Sequence, residues 1–142
     1  TIKIQQKIDT NAVIVEADAI QVHQVLMNLC TNAAHAMNDK GGILKVSLNR
    51  ININQKEAAA HPDLSTGPFL KLSVIDTGHG ISSNELGRIF DPYFTTKEKD
   101  RGTGLGLAMT KKIVERHGGT IKALNTPQGL AFHITLPSNP PE

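Results

Sequence analysis

At 142 residues and 39% hydrophobic, the chain is long enough to bury one core without a disulfide or a structural metal. Its formal net charge of +2 is carried by scattered basic residues with one modest cluster at Lys97, Lys99 and Arg101, and no aromatic residues interleave a basic stripe, so nucleic acid is not an expected partner. No stretch approaches the ~18 apolar residues of a membrane span and no signal peptide is visible, so direct membrane contact by this chain is not expected either.

Ile2 to Ile8 alternates apolar and polar residues as a half-buried strand does, and Val13 to Val15 predicts a short apolar strand. Asp18 reads as an N-cap, with Gln21 completing a capping box. From there Val22, Val25, Leu26, Leu29, Ala33 and Ala36 recur at helical spacing, which predicts a long amphipathic helix ending near Met37. Within it Cys30, the only cysteine, reads as a small core residue of a reducing compartment. Gly41-Gly42 ends the connection. Leu44, Val46 and Leu48 alternate as a strand, and Ile51 and Ile53 resume one residue out of step, which predicts a bulge. Gln55 to Pro68 is polar, Ala-rich and broken by prolines, and predicts an exposed loop. Leu70, Leu72 and Val74 form a strand that runs into Asp76.

Ser82 with Glu85 predicts a second capping box and a short helix toward Phe90. Residues 91–101 carry alternating charges and no periodicity, which predicts a mobile loop. A helix then runs through Val114 to His117-Gly118-Gly119, with basic residues near its C-terminus as the helix dipole prefers. Thr120 to Asn125 and Leu130 to Leu136 predict a hairpin around Thr126-Pro127-Gln128-Gly129, with Leu130, Phe132, Ile134 and Leu136 on its buried face. Amphipathic helices and one-sided strands predict an α/β two-layer arrangement, a mixed, mostly antiparallel sheet with about three helices on one side. Residues 1–137 are expected to form one domain and Ser138 to Glu142 a C-terminal linker. The absence of an initial Met suggests a fragment of a longer protein.

Two glycine loops stand out: Asp76-Thr77-Gly78-His79-Gly80, and Gly102-Thr103-Gly104-Leu105-Gly106-Leu107. Backbone amides of such loops can converge on phosphate oxygens, and a helix N-terminus favours an anion; two turns and a helix start are the plainer reading. Asn28, Asn32 and His35 stack along one line of the long helix, at the border of its apolar arc. Asparagine is a poor mid-helix residue, so these either form a wet boundary or present carbonyl oxygens to a hard cation such as Mg²⁺. Asp76, at a strand end before glycines, either accepts from an exocyclic amine or caps its own turn. Phe90, Tyr93 and Phe94 are three of five aromatics, either core or functional.

Together these pieces resemble the catalytic ATP-binding domain of bacterial sensor histidine kinases, within the GHKL ATPase/kinase superfamily. The N box is similar to Asn28-Leu29-Cys30-Thr31-Asn32-Ala33, and the first G box to Asp76-Thr77-Gly78-His79-Gly80-Ile81. The F box resembles Arg88-Ile89-Phe90-Asp91-Pro92-Tyr93-Phe94-Thr95-Thr96-Lys97, the second G box Gly102 to Leu107, and the final strand Phe132 to Pro137. The Asn-Ala-Ala run and Phe-Thr-Thr-Lys look most like nitrogen-regulation-type and hybrid kinases. The resemblance implies ATP and Mg²⁺ as cofactors, with Asn32 on the metal and Asn28 assisting. It implies that Asp76 accepts from the adenine amine, that Gly78 and Gly80 shape the base pocket, and that Ile81 packs on the base. Residues 91–103 become a lid, with Tyr93, Phe94 and Thr95 in the pocket region and Thr96 and Lys97 near the phosphates. Gly102, Thr103, Gly104, Leu105 and Gly106 present the second loop to the triphosphate, which Leu107 helps enclose. His35 falls where many relatives carry Lys or Arg, and Arg101 is the lid's substitute.

In hydrolysing members of the superfamily a Glu stands four residues before the metal Asn as the general base. Here that position is Asn28, which takes no proton at neutral pH, so the resemblance implies a kinase that keeps the γ-phosphoryl for a protein acceptor. Lys97 and Asn28 are the candidate catalytic residues. None of the six histidines lies in an acceptor-like motif, so the acceptor is expected on a separate dimerisation domain of the parent protein, with a response regulator reached indirectly. The alternatives are a GHKL ATPase, a nucleotide-binding regulatory module without phosphotransfer, and a serine-kinase anti-sigma factor. The resemblance places the domain in the bacterial cytoplasm and leaves membrane anchoring of the parent open.

Overall fold

The computed structural model describes residues 1–9, 14–60, 65–94 and 106–138. Its elements run β1 (Ile2–Ile8), α1 (Ala19–Ala36), β2 (Gly42–Ile53), α2 (Gln55–Ala60), β3 (Gly67–Asp76), α3 (Ser83–Leu86), α4 (Gly106–Arg116), β4 (Thr120–Asn125) and β5 (Leu130–Pro137). The strands form one sheet in the order β1-β2-β3-β5-β4, with β1 parallel to β2 and every other pair antiparallel. This is the expected α/β two-layer sandwich. Val25, Leu29 and Ala33 of α1, with Ile113 and Val114 of α4, pack on Leu44, Val74, Phe132 and Ile134 of the sheet. Each of the Val, Leu, Ile and Phe side chains among them, taken fully from water, contributes roughly 1.5–3 kcal/mol.

Local sequence sets the helix ends. Asp18 Oδ1 accepts from the amides of Ile20 and Gln21, at 2.9 and 3.3 Å, which opens α1 as expected. The other half of that capping box differs, because the Asp18 amide donates to His117 Nε2 (3.1 Å) instead. His117 Nδ1 in turn meets Ile113 O at 2.8 Å, so one imidazole joins the start of α1 to the end of α4. α4 closes with Gly118 N–H to Glu115 O and Gly119 N–H to Val114 O, the Schellman pair, and Gly118 takes a φ of 76°. α3 is a single turn capped by Ser82.

Three local expectations are corrected. Gln55–Ala60 is a helix, not a loop: Asn54 Oδ1 accepts from the Glu57 amide and Glu57 Oε1 from the Asn54 amide, a capping box ahead of an alanine run. β2 has no bulge, since its register against β3 is continuous from Leu44↔Asp76 to Ile53↔Gly67. The apolar positions change face instead: Leu44 is buried on the helix side, and Ile53, of opposite parity, on the other. Finally, Ile14 and Val15 lie in irregular chain rather than a strand, with Ile14 exposed; Val13 is outside the described residues. Among the described residues no helix is long and apolar enough to cross a membrane.

Candidate nucleotide site

Asp76 ends β3 with its carboxylate sunk to 3% exposure. Its Oδ1 accepts from the amides of Gly78 (2.9 Å) and Leu130 (3.3 Å), while Oδ2 takes neither bond. Burial pushes the carboxyl above its ordinary pKa, and the two amides and His79 pull it back. The turn-capping role and a ligand-accepting role are therefore compatible, one for each oxygen. Two glycines make room around this group. A Cβ on Gly78 would stand 2.6 Å from Ala36 O, so the loop lies directly on the C-terminal end of α1; one on Gly129 would stand 2.2 Å from Asp76 O. The loop's far side is held by Asn125, whose Oδ1 accepts from the Ile81 amide (3.0 Å) and whose Nδ2 donates to Ile81 O. Gly80, with φ 72°, lies against that Asn125 oxygen, and Ile81 packs on the core.

α1 runs beneath the Asp76 loop and the first turn of α4. Asn28, Asn32 and His35 are half-buried along one line of it. Asn28 Nδ2 donates to Gly106 O (3.3 Å) and to Thr110 Oγ1 (3.2 Å), which ties the helix to the first turn of α4. Thr110 is completely buried, and its hydroxyl also donates to Gly106 O at 2.8 Å. Leu107 packs against the core from the same turn. Ala36, beneath Gly78, and Asn28, bonded to Gly106, are thus about 12 Å apart along one helix axis.

The aromatic segment divides. Phe90 meets Phe132 edge-on at 6.3 Å, Phe94 lies 4.6 Å beneath the Arg88 guanidinium, and both pack on the core. Tyr93 is 75% exposed, takes a φ of 66°, and lines a groove of about 450 Å³ with Gln21, Gln24, Met109 and Arg116 rather than joining Asp76.

The structure therefore brings together Asp76, Gly78, Gly80 and Ile81 at the C-terminal end of α1, and Asn28, Gly106 and Leu107 about two turns back along it, with Asn32 and His35 between. Thr95, Thr96, Lys97, Arg101, Gly102, Thr103, Gly104 and Leu105 lie outside the described residues. Sequence reasoning missed Thr110, Asn125 and Gly129. Thr110 follows Gly106 by one helical turn, a usable signal. Asn125 and Gly129 look like ordinary hairpin residues, and only the β3–β5 pairing places them beside the Asp76 loop.

The chain is similar to known proteins along most of its length. Over 126 residues the chain is 39% identical to sensor histidine kinase ZraS of Klebsiella oxytoca, covering 88% of this chain and 24% of that protein. It is 34% identical over 140 residues to sensory histidine kinase/phosphatase NtrB of Rhizobium leguminosarum bv. phaseoli, covering 97% of this chain and 36% of that one. It thus spans about a quarter to a third of these relatives' length. Among solved structures, the catalytic domain of histidine kinase ThkA superposes with a TM-score of 0.75 at 32% identity, over 96% of this chain and 79% of that one. ThkA has also been solved in complex with the response regulator protein TrrA, where the TM-score is 0.71 at 28% identity, over 97% of this chain and 34% of that one. The sequence pattern of one family matches residues 17–140, and the chain belongs to it: the histidine kinase-, DNA gyrase B- and HSP90-like ATPases.

Proposed function

We propose that this domain binds Mg-ATP and donates the γ-phosphoryl group to a histidine on a separate dimerisation domain of its parent protein, as the catalytic half of a two-component kinase. Adenine sits at the Asp76 end of α1, where Oδ2 accepts from the exocyclic amine, Gly78 and Gly80 keep the floor open and Ile81 packs on the base. The phosphates reach toward Gly106. The observation that carries the kinase reading over hydrolysis is Asn28. Its Nδ2 is engaged with Gly106 O and Thr110 Oγ1, so the side chain is a positioned amide rather than a carboxylate. Water activation then lacks its base, whereas phosphoryl transfer to a nucleophilic imidazole needs chiefly alignment and charge neutralisation.

With Nδ2 engaged, Asn28 Oδ1 is the atom turned to a cation, and Asn32 supplies a second hard oxygen one turn further on. Two neutral amide oxygens fit Mg²⁺, which takes few protein ligands and completes its shell with water and phosphate. In transfer, the bond from Pγ to the β,γ-bridging oxygen breaks, a P–N bond forms to the acceptor imidazole, and ADP carries away the electron pair. Lys97 and Arg101 supply positive charge from the lid. A receiver domain is the downstream partner, as the ThkA complex with TrrA suggests by likeness.

Incubation with γ-labelled ATP and Mg²⁺, with and without a dimerisation domain in trans, tests this. The expected result is slow hydrolysis and no self-labelling by the domain alone, and label on the added partner that is lost in acid and kept in base. Rapid hydrolysis by the isolated domain would favour the ATPase reading. Acid-stable phosphoserine on an added protein would favour the anti-sigma reading.

A further inference from the structure

α1 and α4 cover one face of the sheet, and the composition of the other face is one-sided. Along β1, β2, β3 and β4 the residues of its parity include Lys3, Lys7, Lys45, Lys71 and Lys122. The strands contain a single acidic residue, Asp76, and it belongs to the opposite face. Asp9, just beyond β1, stands at the rim. Five of the chain's 15 basic side chains are thus gathered here, while the rest of the sequence holds ten against 13 acids. The molecule is a basic sheet face on an otherwise acidic body.

The registers draw one row across all five strands: Lys7, Ser47, Ser73, His133, Lys122. At strand spacing it is about 19 Å long. Ser47 and Ser73 are sunk to 9% and 4% exposure, and Ser73 Oγ meets His133 Nδ1 at 2.7 Å. Lys45 and Lys71 flank the serines from the neighbouring rows. The row is therefore a shallow trough with a hydroxyl and imidazole floor and ammonium walls. Burial and the nearby Lys71 hold His133 below its ordinary pKa, so near neutrality the positive charge belongs to the lysines and the floor offers neutral hydrogen-bonding groups.

We propose that this lysine-lined sheet face docks an acidic protein partner, whose Asp and Glu side chains pair with the lysine walls and hydrogen-bond to the Ser47–Ser73–His133 floor. Sunken, directional donors suit carboxylates held on a folded surface. Phe69, the one aromatic residue of this parity in β3, is buried, so the face offers no stacking platform for bases. Carboxylates arriving from a partner would meet ammonium groups with no competing acid on the strands between them, which favours fast, salt-sensitive association.

The test is an NMR titration of the labelled domain with a synthetic Glu-rich peptide at low and at high salt. The expected result is that amide shifts concentrate on Ser47, Ser73 and His133 and fade at high salt. Lys71→Glu with Lys122→Glu should weaken binding by at least about ten-fold with no change in melting temperature. Lys3→Glu with Lys7→Glu, on the edge strand, should do the same if the first pair disturbs folding, while Lys40→Glu outside the face should leave affinity unchanged. Shifts centred elsewhere, or affinity indifferent to both pairs, would overturn the proposal. So would a stronger response, at equal charge, to phosphatidylserine vesicles or to oligothymidylate, which would point to a membrane or a nucleic acid instead.

Discussion

Asp76 caps its own turn, and the proposed adenine contact is a second task that a substitution can separate from the first. Asp76→Asn preserves an oxygen for the Gly78 and Leu130 amides but sets an NH₂ group where the adenine amine would donate. Two opposed donors in a buried site cost about 1–3 kcal/mol, so ATP affinity should fall roughly 10- to 100-fold while the melting temperature holds; calorimetric titration beside thermal unfolding checks both. The raised pKa adds a pH signature of two signs. Between the ordinary and the raised value the native state holds a proton that the unfolded chain has released, so stability contributed by this group falls as pH rises through that window. Nucleotide binding should strengthen across the same window, because the protonated oxygen donates where it must accept. ATP affinity that is flat with pH from the carboxylate range to neutrality would contradict the assignment. Asn125 offers a complementary case. Asn125→Ala removes both bonds to Ile81, so it should destabilise the fold by about 1–2 kcal/mol and weaken ATP binding without touching Asp76.

Helix contacts at the level of elements make α1 and α4 act as one piece. Asn28 joins α1 to the first turn of α4, and His117 joins the last turn of α4 back to the start of α1. Asn28→Ala should therefore do two things: lower stability by about 1 kcal/mol, and impair magnesium-dependent nucleotide affinity more than affinity measured without metal. Asn28→Glu adds a carboxylate without the geometry around an attacking water, so its gain in hydrolysis should be modest, as a steady-state phosphate assay would record. The end of α4 carries a purely structural expectation. Gly118→Ala places a Cβ at positive φ and 3.3 Å from Pro137 Cγ, so about 1 kcal/mol of stability should be lost in thermal unfolding while ATP binding is kept.

For the whole molecule, the two faces of the sheet are specialised in opposite ways. One packs against α1 and α4 and positions the candidate nucleotide site beside them. The other carries the lysines, with Ser47, Ile53, Phe69 and Ser73 buried on it. The edge arrangement also matters: β1 enters parallel to β2, whereas β2 through β5 form antiparallel pairs. The β3–β5 pair brings the Leu130 amide under Asp76, so the site depends on strands far apart in sequence.

The amino-acid sequence by itself determined the order of the five sheet strands and of α1, α3 and α4, the caps at Asp18 and Ser82, the apolar face of β5 and the Asp76 glycine loop. These depend on local periodicity and on side chains reaching backbone a few residues away. It also singled out Asn28 and Asn32, because asparagine is disfavoured inside a helix, and Asp76, because it stands at a strand end before a glycine loop. The helix at Gln55–Ala60 was equally local, its Asn54–Glu57 box overlooked beneath the flanking prolines. Other features were decided only by tertiary structure. The phase change in β2 reads as a bulge until the continuous register shows that burial moves from one face to the other. Asn125, Gly129 and Thr110 gain their roles from contacts to residues far away in the chain or on a facing helix, and the lysines become one surface only when five strands are laid side by side. Periodicity reports which side of an element is buried; only the packed chain reports against what.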